Sequence, residues 1–432
     1  CIAGYYEYRK GSISMFLWAT LLLLFGIPHF IGVLFATYDY DSSVMIQASL
    51  FVALFNIIYL LFRITILGRK RALDFRNEFK RKVYGLRTVE SKRLIRVLFM
   101  CLVASLAILV YLSVSLFGGL LTTSWGGFYS LPGSVYALNK IVFAKLISMH
   151  LLFVSGGVII PLWLTKRRYL SIACMLIIVC HVLITRNRIE ILPVFVALVL
   201  LYASKKRKIG PRQLIAFAMI MICVVFAVDG LRLYRHYGTL AKFRENFDII
   251  NFNQQILQMI TSDEGEMGLR NAFYYFLAEE NKFPDFGEAH TYIRLLLIAV
   301  PTKYSLGLKP RDFAISMGSA YINNFSNTSY SMHPTLYGDC YANLGWLGVL
   351  LGIFWAFFAF VIDKLANRKN LVVKSALMVL FGVMYVIIGR GSVYNGCHLA
   401  FISALYLLVL NLALTAANAA NVCLLKAPQH LS

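Results

Sequence analysis

The residues of this chain that could do chemistry are arginines at the ends of apolar segments, a histidine beside a proline, and an acid a turn and a half further on. Arg186 and Arg188 occupy a turn between two apolar segments, and Arg390 stands between Gly389 and Gly391 in GRGSVYNG. A guanidinium near hydrocarbon is costly unless it pairs or reaches the interface. Two planar forks at that depth suit a diphosphate, which accepts bidentate hydrogen bonds. The plainer alternative is an interfacial turn in which Arg188 pairs with Glu190. The glycines beside Arg390 let the backbone approach a ligand or a neighbouring helix. His333 precedes Pro334, and a histidine at a membrane interface can act as a general base near neutral pH. Asp339 competes for that role, its alternative being to cap the following helix. Arg294, Lys309 and Arg311 are further candidates for anion recognition, with Pro301 and Pro310 stiffening their segment.

These residues need elements to hold them, and composition says what kind. The chain has 432 residues, is 59% hydrophobic and has a mean hydropathy of +0.70, against roughly 45–50% apolar for soluble domains. Apolar runs of about 20 residues recur, the length of a membrane-spanning helix. The short alternating segments of a membrane β-barrel are not seen. The expected class is an all-α polytopic membrane protein. The net charge of +22 lies in short loops between apolar runs, including Arg9-Lys10, Arg69 to Arg96, Lys166 to Arg168, Lys205 to Lys208 and Arg368-Lys369. That is the positive-inside pattern, not a nucleic-acid surface.

About ten spans follow: Ser12 to Ala36, Val44 to Leu67, Val97 to Leu121, Ile141 to Leu164, Tyr169 to Thr185, Ile191 to Ser204, Gln213 to Val228, Asn343 to Ala366, Lys374 to Gly389 and Cys397 to Ala417. Both termini are expected in the cytoplasm. Residues 1–230 would carry seven spans, 231–342 one large external loop, and 343–432 three spans. The basic segment ALDFRNEFKRK is expected to lie on the membrane surface, and the acidic turn Asp39 to Asp41 outside. Within the loop, ILQMI, AFYYFLAEE and TYIRLLLIAV are apolar enough to pack as short helices. Its cations (Arg232, Arg235, Arg270 and Lys303 besides those above) are nearly balanced by acids such as Asp263, Glu264, Glu266, Glu280, Asp285 and Glu288. Anion recognition must therefore be local. Lys145, His150 and His181 fall inside spans, where polar residues are functional suspects or interhelical hydrogen-bond partners. The loop tyrosines form either a sugar platform or an interfacial belt. Cys340 and Cys397 would both lie near the outer face, which leaves a disulfide between them open. The chain opens on Cys1 and not on Met, which leaves open an earlier segment. No nucleotide loop, zinc helix or nucleophile elbow is present, and neither metal nor cofactor is expected.

Three stretches carry a family resemblance: TRNRIEILPVFVALVLLY, AVPTKYSLGLKP, and TLYGDCYANLGWLG from Thr335, with GRGS later. Over roughly Thr185 to Ser392 the chain resembles the oligosaccharide repeat-unit polymerases of bacterial surface polysaccharides, the Wzy-type O-antigen polymerases. It departs from their pattern at Asp339, where a glutamate is expected, and at Thr302, where an arginine is. The resemblance implies metal-independent glycosyl transfer at the outer face of the inner membrane. Donor and acceptor would be undecaprenyl-diphosphate-linked oligosaccharides, with a chain-length regulator, a flippase and membrane lipids as further partners. His333 and Asp339 would be catalytic. Arg186, Arg188, Arg390, Arg294, Lys309, Arg311, Tyr341 and Asn343 would bind diphosphate and glycan. A histidine before a helix also fits the related O-antigen ligases. A flippase for the same lipid-linked units is the alternative from another class, against which stands the absence of repeat symmetry.

Overall fold

Spans that must satisfy every backbone group internally become helices. In the computed structural model, the described residues are 2–35, 40–68, 72–73, 86, 88–120, 122–123, 127–128, 139–205, 269–279, 290–322, 324 and 331–426, and no strand occurs among them. The helices are α1 (Ile2–Lys10), α2 (Met15–Phe35), α3 (Ser42–Leu67), α4 (Val89–Phe117), α5 (Asn139–Gly156), α6 (Ile159–Leu164), α7 (Arg168–Thr185) and α8 (Leu192–Lys205). They continue as α9 (Leu269–Ala278), α10 (His290–Leu296), α11 (Phe313–Tyr321), α12 (Thr335–Leu344), α13 (Leu351–Ala366), α14 (Leu371–Gly389) and α15 (Val393–Lys426). Among the described residues, eight helical stretches are long and apolar enough to cross a membrane, and the shorter Ile189–Ser204 matches the expected sixth span. The protein is an all-α polytopic membrane protein.

The expected seventh span, most of the loop Lys205 to Arg212, the segment ILQMI, and nearly all of ALDFRNEFKRK lie outside the described residues. So do Asp39, Arg232, Arg235, Asp263, Glu264, Glu266, Glu280, Asp285 and Glu288. The two other loop helices are present as α9 and α10.

Several boundaries move. The third span begins at Val89 instead of Val97, because the Thr88 side chain accepts from Ser91 N and caps the helix, and it ends before Gly118, at φ 70°. The fourth is interrupted between α5 and α6 at Gly157, where a side chain would meet the Ala376 backbone. The eighth begins at Thr335 instead of Asn343, directly after Pro334, and passes through a 3-10 turn at Gly345–Leu350. The ninth and tenth begin at Leu371 and Val393. Cys340 and Cys397 are both buried free thiols, so the disulfide is not formed.

The chain forms two compact units that interleave in sequence. The first is Cys1–Leu73, Phe247–Leu365 and Phe381–Ala400; the second is Asp74–Asn246, Ala366–Leu380 and Phe401–Ser432. The core of the first is aromatic. Phe51 packs edge-on against Phe273 and Tyr341, each at 5.5 Å, and Phe25 against Tyr337 at 5.3 Å. Such pairs add about 0.5–1.5 kcal/mol each beyond the area they bury. Loop helix α9 is thereby packed onto α2, α3 and α12. Tyr274 accordingly bonds His29 Nδ1 at 2.6 Å, and the Tyr337 hydroxyl donates to Asn56 Oδ1 at 3.0 Å. These tyrosines are core, not platform. In the second unit, buried Phe153, Ile159, Ile178 and Val196 form the interior, and His150 bonds Ser403 Oγ at 2.9 Å. His150 is thus an interhelical hydrogen-bond partner.

Gly157 admits α14 because it lacks a Cβ, which would stand 2.2 Å from Ala376 Cα. Gly157→Ala is expected to cost about 1–3 kcal/mol by overpacking, read as a lower melting temperature in detergent, whereas Gly119→Ala, whose nearest neighbour is 3.7 Å away, should leave it within a degree or two.

Candidate functional site

The polar residues of the first unit converge where α10, α11 and α12 meet the turn between α14 and α15. Asp339, Asn343 and Thr291 are 1%, 0% and 1% exposed. Because α12 starts at Thr335, Asp339 and Asn343 fall one turn apart on a single face, and Asp339 caps nothing. Thr291 Oγ1 donates to Asp339 Oδ2 at 3.0 Å, and Asn343 Nδ2 donates to Asp339 O at 2.7 Å and to Oδ1 at 3.3 Å. Thr291 N donates to Asn343 Oδ1 at 2.8 Å. These bonds lock α10 onto α12. They also occupy the side chain of Asn343, which clamps the two helices together. Tyr341 points into the aromatic core against Phe51 and Phe273.

Locking α10 places Arg294. Its guanidinium lies 4.3 Å from the Tyr394 ring centroid, and the Lys309 ammonium lies 5.2 Å from the same ring. Arg294 Nη1 donates to the Pro310 carbonyl and Lys309 Nζ to the Val300 carbonyl at 2.7 Å. Neither cation makes an ion pair with an acid among the described residues. Arg311 is fixed through its carbonyl, which accepts from His290 Nε2 at 2.6 Å. Burial, ahead of any charge, holds the His290 imidazole below its ordinary pKa.

Tyr394 also lines a cleft with Thr291, Asp312, Asp339, Ser392 and Asn395. Its volume is about 10 Å³, room for one water and not for a sugar. The first turns of α11 and α15 border it. Asp312 caps α11 by accepting from Ala314 N at 3.0 Å.

The GRGS turn and the His333 segment are brought together. Thr335 N donates to Arg390 O at 3.2 Å, and a Cβ on Gly391, at φ 100°, would stand 2.5 Å from Thr335 N. The glycine is required by this approach. His333 Nδ1 is buried and has no hydrogen-bond partner. Burial first, and then the Arg390 charge, push its imidazole down to about 3. Such a group is neutral at physiological pH and a weak base until an anion offsets Arg390.

Arg186 and Arg188 belong to the second unit. Arg186 ends α7 at φ 60°, and burial lowers its pKa. The alternative in which Arg188 pairs with Glu190 rests on a side chain outside the described residues. Glu190 Oε2 bonds His181 Nδ1 at 2.7 Å and Thr185 Oγ1 at 2.5 Å, all three side chains buried. The side chains of Arg188, Lys145 and Lys303 lie outside the described residues.

Sequence reasoning passed over Thr291 and Tyr394, which carry no signal of their own. It also passed over the buried cluster Glu7, Arg63 and Asp363, although charges within the second and eighth spans were such a signal. Comparison with protein-family models, curated proteins and solved structures finds no match to this chain.

Two outcomes follow from the geometry. Thr291→Val leaves Asp339 and Asn343 each short of a buried partner and should cost about 1–3 kcal/mol, while Thr291→Ser, which keeps the hydroxyl, should recover most of it in thermal melts. His333 should stay neutral in the fold as pH falls from about 6.5, its unfolded value, towards about 3. The unfolded chain takes up that proton first, so stability contributed by the neutral imidazole is lost across this window. His333→Gln should flatten the acid limb of the stability curve, and Arg390→Gln should raise the NMR titration midpoint of His333.

Proposed function

We propose that this protein is a membrane glycosyltransferase that polymerises undecaprenyl-diphosphate-linked oligosaccharide repeat units into surface polysaccharide, O-antigen or capsule or exopolysaccharide, at the outer face of the inner membrane. The observation that carries this reading is the placement of Arg294 and Lys309 over Tyr394, with backbone carbonyls for hydrogen-bond partners, at a cleft lined by Asp339. Cations held without carboxylates are suited to an anionic leaving group, and phosphate oxygens are stronger acceptors than amide carbonyls.

On this reading Asp339, ionised once the cleft widens and a cation lies beside it, takes the proton of the acceptor hydroxyl as that oxygen bonds to the donor's anomeric carbon. The bond from that carbon to the diphosphate breaks, and the electron pair leaves with the diphosphate, which Arg294 and Lys309 stabilise. One such donor is worth about 2.7–4 kcal/mol, and a positioned base about 10²–10⁴ in rate. The cleft must widen to admit a sugar. The unpartnered His333 Nδ1 before α12 favours the O-antigen ligase as second reading, with His333 as base in place of Asp339.

Purified protein given a defined lipid-linked repeat unit should build a ladder of products. Transfer of a preformed glycan to lipid A core without a ladder would mark a ligase, and translocation without either reaction a flippase. Arg294→Ala and Asp339→Asn should each cut elongation at least about 100-fold while inserting in the membrane as wild type does. Wild-type product lengths from both variants would remove this site from the reaction.

A further inference from the structure

Glu7 of α1, Arg63 of α3 and Asp363 of α13 meet in the interior of the first unit, at 0%, 0% and 2% exposure. Arg63 Nε donates to Glu7 Oε1 at 2.8 Å, and Nη2 donates to Glu7 Oε2 at 3.1 Å and to Asp363 Oδ2 at 2.5 Å. The Tyr59 hydroxyl donates to Glu7 Oε1 at 2.9 Å, and Ile13 N donates to Asp363 Oδ1 at 3.0 Å. Ser12 Oγ lies 2.7 Å from Asp363 Oδ2, 3.0 Å from Arg63 Nη2 and 2.8 Å from Ser14 Oγ.

The charges do not balance. One guanidinium faces two carboxyl groups, and among the described residues the other titratable groups around them are the phenols of Tyr6, Tyr59 and Tyr385. Phenols are uncharged near neutral pH and supply no positive charge. An uncompensated charge taken out of water costs several kcal/mol. Arg63 Nη1 and the Tyr385 hydroxyl are buried without hydrogen-bond partners, so the cluster's polar groups are not saturated by the protein.

We propose that this cluster is a proton-binding site, in which one proton resides on the Asp363 carboxyl and is hydrogen-bonded to Ser12. The heavy atoms are placed for it once Arg63 Nη2 spends its two hydrogens on Glu7 and Asp363, which leaves the two lone pairs of Ser12 Oγ for Asp363 and for Ser14 N at 3.2 Å. With the proton absent, the Ser12 hydroxyl donates to Asp363 Oδ2. With it present, Asp363 donates to Ser12 Oγ, and the Ser12 hydroxyl turns to donate to Ser14 Oγ. An O–H bond forms on Asp363, the proton comes from water, and no bond within the protein breaks. The proton makes the cluster neutral and fastens α1 to α3 and α13. This assignment does not depend on the glycosyl-transfer reading, because no residue of the cluster belongs to the cleft at Asp339.

Infrared spectroscopy of the full-length protein in lipid at pH 7 tests it. A carbonyl band of a protonated carboxylic acid is expected that moves to lower frequency with carbon-13 aspartate and is lost in Asp363→Asn but kept in Asp339→Asn. Ser12→Ala, which removes the hydrogen-bond acceptor, should move the same band to higher frequency, and this keeps the test open should Asp363→Asn fail to fold. A spectrum in which neither Asp363→Asn nor Ser12→Ala changes any protonated-carboxyl band overturns the proposal. So does a cluster band that follows carbon-13 glutamate instead of aspartate.

Discussion

Arg63 has no exposed surface and lies inside a 26-residue apolar helix, so its charge must be met within the protein. That requirement constrains three segments together. It draws Glu7 inward and lays α1 against α3. It fixes the Ser12–Ser14 turn leading into α2, and it sets the rotation of α13 through Asp363. Breaking a buried pair from one side typically costs about 3–5 kcal/mol, because the surviving charge is stranded. The same rule governs smaller groups elsewhere. His181 and Glu190 satisfy each other within the second unit, and Asp339, Thr291 and Asn343 do so in the first. In each case a carboxyl group decides which face of a helix turns inward.

The grouping around Asp339 has the widest consequence for chemistry. It holds a helix of the loop against a helix leading into a membrane span, and the cations of the loop follow. Arg294 sits one turn after Thr291 on α10, so locking Thr291 aims Arg294 at Tyr394. Lys309 reaches the same ring from the chain beyond, after the turn at Leu306 and Gly307, both at positive φ. A cation over an aromatic face gains about 0.5–2 kcal/mol according to how far it is desolvated, enough to hold a position while leaving the charge unspent.

The helical architecture was legible because hydrocarbon leaves the backbone little choice. Runs of apolar residues placed eight of the nine spans that can be compared within a few residues at one end or both. The third began eight residues early because Thr88 and Ser91 form a cap that hydropathy does not register. The eighth moved by as much because TLYGDCYANL is polar in composition yet buried. The site was legible in part. Asp339, Arg294 and Lys309 gather at one place, but spacing said nothing of Thr291 or of the bonds that tie Asn343 to it. For Glu190 the sequence offered only a near neighbour, Arg188, whereas the partners seen among the described residues lie back in α7, at His181 and Thr185. Pairing across turns of different elements is a property of the fold, and one sequence does not contain it in readable form.

The arrangement also decides which contacts a ligand would loosen. Opening a cleft of about 10 Å³ to sugar size has to separate something. The clamp is a poor candidate, since each of its buried groups would be left unpaired at about 1–3 kcal/mol. The contacts of Arg294 with Pro310 and of Lys309 with Val300 are different. They tie down both ends of the segment 300–310 by carbonyl oxygens, which a phosphate can replace with better acceptors. Under the proposed reaction, the anion that needs these two cations thus also releases the two carbonyls that end the segment 300–310. The clamp at Asp339 stays closed meanwhile, keeping the carboxyl group in register with the acceptor hydroxyl.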